Sequence, residues 1–308
     1  MRECKRILCP LDFSDASSHA IEQAIAIAGW CKARITALHV YSPALAPAFL
    51  QLPDGVGADD DLRRLHDETA ACLRAATEAG IGVDVVIDVG PPAGCILDRA
   101  AALSADLIVM GTHGASGFQH LVLGSVTEKV LRKARCAVLT VPPKARATST
   151  LPFTQLLCPV DFSDASLAAL EMARSLARES AAALTVLHVI EWPWREPPAP
   201  FAAELPPAQA AALAEYRRYV EASATARLEG LIQEVAGDRS APVPRLRHGK
   251  SYVEILRLAA EERADLIIMG VHGRNALDTL FGSTTNQIVR QATCPVLTLR
   301  QSAEGSPS

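Results

Sequence analysis

Two stretches of this sequence carry groups suited to holding an anion. Gly111-Thr112-His113-Gly114 follows the apolar run from Leu107 to Met110, and after nine intervening residues comes Gly124-Ser125-Val126-Thr127. A phosphate is held mainly by backbone N–H groups, and a Cβ pointing inward keeps the backbone from closing on it, so glycines in such loops have a chemical use. Gly124-Ser125 also precedes a helical pattern over 126–133. The first N–H groups of a helix have no intrahelical acceptor, and its dipole is positive at that end. Ser125 and Thr127 add hydroxyl donors, each hydrogen bond to a charged group contributing roughly 1.5–3 kcal/mol.

Asp12, at the end of the first strand-like run, is unsuited to phosphate because two anions repel. Two roles fit it: accepting hydrogen bonds from a ribose or base amine at the far end of a nucleotide, or supporting the turn and helix that follow it. His39 and His188 sit in apolar strands and read as hydrogen-bonded core histidines, whereas His113 and His272 lie inside the glycine-rich loops and either touch a ligand or shape the loop. Gly249-Lys250-Ser251 imitates the end of a P-loop, but the position that needs the first glycine is Pro244. The cysteines and histidines lack the spacing of a metal site. No residue stands out that would position water and stabilise developing charge, so binding without fast turnover is the expectation, with slow hydrolysis of the ligand as the enzymatic alternative.

The elements that position these groups follow from periodicity. Ile7-Leu8, 35–40, 83–89, 107–110 and 137–141 are short, apolar and largely β-branched, as strands are. The runs at Leu107 and Leu266 are apolar at successive positions, which suits parallel strands covered on both faces. Ile21, Ala24, Ile25 and Ala28 recur at helical spacing behind Ser14, a candidate N-cap. The β-α-β-α order implies an open parallel sheet with right-handed crossovers. Ligands of such sheets bind beyond the carboxyl ends of the strands, where Asp12 and Gly111 lie.

The chain repeats this plan. Cys9 to Ser17 returns as Cys158 to Ser166 with one difference, and Leu38-His39-Val40 returns 149 residues later as Leu187-His188-Val189. Ala105 to Gly111 returns 159 residues later as Ala264 to Gly270, so the second copy has gained about ten residues in between. A unit this long is a duplicated domain, not a solenoid repeat. The polar seam at 142–150 reads as a linker and 303–308 as a frayed tail. The stretches 42–57 and 192–200 read as excursions after the second strand of each copy.

Composition agrees. The 308 residues suit two domains, 49% hydrophobic and 21% charged residues suit a globular protein, and a net charge of −4 argues against nucleic acid or an anionic membrane as the main partner. Eight cysteines without a CxxC pair suit buried thiols in a reducing compartment. The N-terminus has only Ile7, Leu8 and Cys9 as an apolar run, and no stretch reaches the roughly 18 apolar residues of a membrane span. A cytoplasmic location is therefore expected.

Gly111-x2-Gly114-x9-Gly124-Ser125, the Pro10-x-Asp12 start and the closing Cys136 to Pro142 together resemble the universal stress protein family, once per half. The resemblance implies two Rossmann-like α/β domains, 1–143 and 152–301, each with a five-stranded parallel sheet of order 3-2-1-4-5. It also implies ATP as ligand, with or without Mg2+, and a role as a nucleotide-dependent stress-response regulator or survival factor. By position, Asp12 would hold the adenosine portion, Val40 would contact adenine, and Met110 and Gly111 would line the nucleotide, with Gly114, Gly124, Ser125 and Val126 around the phosphates. The matching residues in the second half are Asp161, Val189, Met269, Gly270, Gly273, Gly282, Ser283 and Thr284. Eight residues separate Gly273 from Gly282, one fewer than in the first half, so stronger binding at the first site is expected. The family also implies pairing of the two domains through their last strands, 138–141 and 296–299, as an internal pseudo-dimer, and homodimerisation beyond it. The alternative is an interaction scaffold that binds no nucleotide.

Overall fold

The structure, a computed structural model, describes residues 4–41, 58–112, 123–143, 145, 153–192, 206–235, 241–271 and 282–300. The first half runs β1 (Arg6–Leu11), α1 (Asp15–Cys31), β2 (Arg34–Tyr41), α2 (Ala58–Cys72), α3 (Arg74–Glu78), β3 (Val83–Val89), α4 (Pro92–Ala102), β4 (Leu107–Gly111), α5 (Ser125–Lys133) and β5 (Ala137–Val141). The second runs β6 (Gln155–Pro159), α6 (Asp164–Ser180), β7 (Ala183–Ile190), α7 (Pro207–Val235), β8 (Val243–His248), α8 (Ser251–Glu261), β9 (Leu266–Gly270), α9 (Ser283–Gln291) and β10 (Val296–Leu299). Most of the seam at 142–150, the excursions at 42–57 and 193–200, and the tail from 301 lie outside the described residues.

Local chemistry accounts for the boundaries. Ser14 and Ser163 are N-caps whose hydroxyls accept from the N–H groups of Ser17 and Ser166, each satisfying an orphan helix donor. Both helices end on a residue in the left-handed region, Lys32 and Ala181, each with φ 55°. Every residue of β4 and β9 is buried, as their uninterrupted apolar runs predict.

Within each half the strands are parallel and in the order 3-2-1-4-5. The two sheets are joined edge to edge into one ten-stranded mixed sheet because β5 pairs antiparallel with β10, in register Thr140 to Val296, Leu139 to Leu297 and Val138 to Thr298. This is the pairing of last strands expected for the internal pseudo-dimer. The Thr140 hydroxyl donates to the Val296 carbonyl at 3.2 Å and the Thr298 hydroxyl donates to the Val138 carbonyl at 3.1 Å, an exchange that repeats across the seam. Joining the strands leaves neither last strand as an open edge. Both hydrophobic layers cross the seam: Ile27 and Val141 share one with Phe153 and Leu170, and Val138 and Leu131 share the other with Ile288 and Val296. The halves therefore do not bury separate cores.

Helices α1 and α6 pack on one face of the sheet with α7, while α4, α5, α8 and α9 pack on the other. In each half the chain changes face between its first and fourth strands, which places the crevice for a ligand beyond Leu11 and Gly111, and again beyond Pro159 and Gly270.

Candidate functional site

A cleft of about 890 Å³ opens at the carboxyl ends of β6, β7 and β9. Asp161 and Val189 line it at the ends of β6 and β7, Met269 and Gly270 at the end of β9, and Gly282, Ser283 and Thr284 at the start of α9. The structure thus gathers these seven positions into one cavity; Gly273 lies outside the described residues. In the first half Asp12 is exposed after β1, Val40 is half-buried on β2, and Met110 and Gly111 are buried on β4. Gly124 is the N-cap of α5, with Ser125 exposed and Val126 half-buried beyond it. Gly114, His113, His272 and the loops at 113–122 and 272–281 lie outside the described residues.

The starts of α5 and α9 differ from those of α1 and α6. Gly124 and Gly282 stand at the N-cap, and no side chain caps either helix. Their backbones are extended, with φ of −57° and −56°, so no dihedral demands glycine there. Space does at Gly282, where a Cβ would lie 3.0 Å from the Val271 carbonyl oxygen. The N–H groups of Gly124 and Gly282 are already spent on the carbonyls of Thr112 and Val271. An anion would be met by the amides of the next residues, Ser125 to Thr127 or Ser283 to Thr285, which lead the helix dipole.

One expectation changes. Thr127 does not offer its hydroxyl to a ligand: it is buried and donates to the Gly111 carbonyl at 3.0 Å, as Thr285 donates to the Gly270 carbonyl at 3.2 Å. These bonds tie the start of each helix to the end of the neighbouring strand. Gly111 and Gly270 are required by packing. A Cβ on Gly111 would stand 2.9 Å from the Cβ and carbonyl oxygen of Ala16, and one on Gly270 would stand 2.8 Å from the carbonyl of Ala165. Lys250 does not line the cleft; it is the N-cap of α8, and the Ser251 N–H donates to the Glu191 carboxylate at 2.6 Å. The P-loop imitation therefore ends in a helix start filled by the protein's own anion.

The aspartates show the second of their two roles directly. One carboxylate oxygen of Asp161 accepts from the Ser163 N–H at 3.1 Å and hydroxyl at 2.6 Å, and Asp12 accepts from the same two groups of Ser14 at 3.1 and 2.5 Å. Each carboxylate orients the serine that caps the next helix. His39 and His188 are hydrogen-bonded as expected, through Nδ1 to the carbonyls of Leu11 and Val160 at 3.0 and 2.8 Å. Each is covered by an aromatic ring, Phe13 or Phe162, with centroids 4.6 Å apart. Both phenylalanines hold a φ near 60°, the left-handed region that a bulky side chain rarely adopts. Beneath these ends Cys9 and Cys158 are buried in β1 and β6, and burial pushes the Cys9 thiol up to about 12 and Cys158 higher. Neither supplies a thiolate nucleophile.

Sequence reasoning missed the wall contributed by α7, where Tyr219, Ser223 and Arg227 line the cleft. Their spacing of four residues puts them on one face of a helix, a signal present in the sequence but placed after a stretch read only as an excursion. It also passed over Phe162 and Glu191.

Comparison with known proteins fits this geometry. The model of the universal stress protein family matches residues 3–142 and, a second time, 152–300. The chain belongs to the universal stress protein family. A universal stress protein of Methanocaldococcus jannaschii is 36% identical over 141 residues, covering 44% of this chain and 81% of that protein. One from Thermus aquaticus is 38% identical over 143 residues, covering 44% of this chain and 98% of that protein. These single-unit relatives each correspond to one half of this tandem universal stress protein. The crystal structure of a universal stress protein from Archaeoglobus fulgidus superposes with a TM-score of 0.68 at 22% identity, covering 99% of both chains, so the tandem architecture itself has a solved counterpart. No helix among the described residues is long and apolar enough to cross a membrane.

Proposed function

We propose that this universal stress protein binds ATP in the second-half cleft, and in its first-half equivalent, and that occupancy regulates its association with other components of a stress response in the cytoplasm. The observation that carries the reading is the cleft: about 890 Å³ at a strand-end crevice, with an uncapped helix start on one wall and a carboxylate at Asp161 on the other. In this reading the amides of Ser283 and Thr284 meet the phosphates, Asp161 accepts from the ribose, and Val189 and Met269 contact adenine. Asp12, Val40, Met110, Gly111, Gly114, Gly124, Ser125 and Val126 take the same parts in the first half. Mg2+ would arrive with the phosphates as their counter-ion. The eight free cysteines fit a reducing compartment.

Calorimetric titration with ATP tests this. Saturable binding that weakens at least about tenfold in Gly282→Val, which fills the space before the helix start, is the expected result. Asp161→Ala and Asp12→Ala divide the signal between the halves, and a stronger first site would match the loop lengths. Absence of binding by the intact protein would favour the scaffold alternative, for which the capping role of both aspartates already gives a ligand-free reason to exist.

A further inference from the structure

Arg227 is the only lysine or arginine among the described residues that line the second-half cleft. Elsewhere in this half Arg174, Arg245, Arg247 and Arg257 face Glu171, Glu262, Glu261 and Glu254. Among the described residues Arg227 has no such carboxylate; its guanidinium lies over the Phe162 ring, 4.1 Å from the centroid. Phe162 in turn lies against His188 at a tilt of 46°, so guanidinium, phenyl and imidazole follow one another beside Asp161. A guanidinium held over a ring by cation–π attraction keeps its N–H donors for a ligand, and its planar fork can meet a phosphate with two parallel hydrogen bonds.

Position says which phosphate. Arg227 stands on α7, whose apolar side packs with α6 on one face of the sheet, whereas α9 packs on the other. The guanidinium is therefore on the wall opposite the one assigned to the 5′-phosphates. It sits against the residue that follows Asp161, the side chain assigned to the ribose. In the first half Phe13 covers His39 at the same 4.6 Å, but Phe13 is 40% exposed, and among the described residues no guanidinium lies over it.

Resting on the nucleotide reading above, we propose that the second-half cleft selects an adenine nucleotide that carries a phosphate on the ribose 2′ or 3′ oxygen as well as at 5′, and that Arg227 recognises the ribose phosphate. Asp161 then takes the remaining ribose hydroxyl, and the positive charge of Arg227 offsets its repulsion of the phosphate.

The test compares adenosine 5′-monophosphate with adenosine 2′,5′- and 3′,5′-bisphosphate by calorimetry on the full chain, as wild type, Arg227→Gln and Arg227→Lys. The wild type should prefer one bisphosphate over the monophosphate by about tenfold or more, the scale of a charge-assisted hydrogen bond. Arg227→Gln should bring that bisphosphate down to the monophosphate level, and Arg227→Lys should keep part of the preference because charge survives without the planar fork. Unchanged melting temperatures would confirm that both variants fold. A wild type that binds the monophosphate without preferring either bisphosphate, or a preference untouched in Arg227→Gln, overturns the inference and leaves the nucleotide reading standing. Failure of all three ligands and of ATP to bind overturns both.

Discussion

Gly270→Ala separates packing from ligand contact. The added Cβ would stand 2.8 Å from the carbonyl carbon and oxygen of Ala165 and 2.9 Å from its Cβ. Carbon atoms in favourable contact sit at about 3.5–4.0 Å, so β9 and the first turn of α6 must separate by roughly 0.7–1.2 Å, and no flexible side chain can absorb the shift. Overpacking of this kind costs about 1–3 kcal/mol, and contact with rigid backbone places this site in the upper half of that range. With an unfolding entropy of about 2.1 cal/mol/K per residue, a single cooperative unit of 308 residues melts about 1.5 °C lower for each kcal/mol, so about 2–3 kcal/mol corresponds to roughly 3–5 °C. Thermal unfolding followed by circular dichroism measures it, with ATP titration of the same sample. Gly111→Ala should behave alike, because its Cβ would meet Ala16 at 2.9 Å. A variant that melts with the wild type yet loses ATP would refute the packing argument and return the glycine to the ligand.

Two further outcomes are expected. Thr140→Val and Thr298→Val each remove one hydroxyl bond across the seam, so each should lower the free energy of unfolding by about 0.5–1.5 kcal/mol in urea titrations, and unchanged midpoints would mean that the paired carbonyls are indifferent to these bonds. Burial alone would raise the Asp106 carboxyl, but the N–H groups of Lys5 and Arg6 at 2.9 Å and the Arg6 guanidinium hold it below the ordinary aspartate value of 3.8. The folded value is the lower one, so the stability it contributes is complete above pH 3.8 and disappears as pH falls through the folded value. The stability difference between wild type and Asp106→Asn should therefore shrink below that pH, and a constant difference down to acid unfolding would contradict the assignment.

Most strands were legible because they are short apolar runs bounded by polar residues, and their order followed from the family resemblance. The Ser14 cap was legible because an N-cap acts within three residues. The role of Thr127 was misread for the opposite reason. It sits at the right place for a phosphate loop, but what decides its role is the approach of its hydroxyl to the Gly111 carbonyl, a contact between segments far apart in the chain. Periodicity marks the buried side of a helix and is silent on what covers the rest. Tyr219, Ser223 and Arg227 accordingly became part of a site only when α7 was laid over the end of β7.

The antiparallel join of β5 and β10 changes what dilution can do. Single-unit relatives that met through such edges would part as their concentration fell, whereas the peptide link between 142 and 153 keeps the partner at an effective concentration on the order of millimolar. It also frees the partners from identity. In a dimer of one gene product every substitution lands twice, so an added wall beside one crevice is an added wall beside both. Here a long helix stands over one crevice and a shorter one serves the other half, and each can drift toward its own task while the seam between them stays shut.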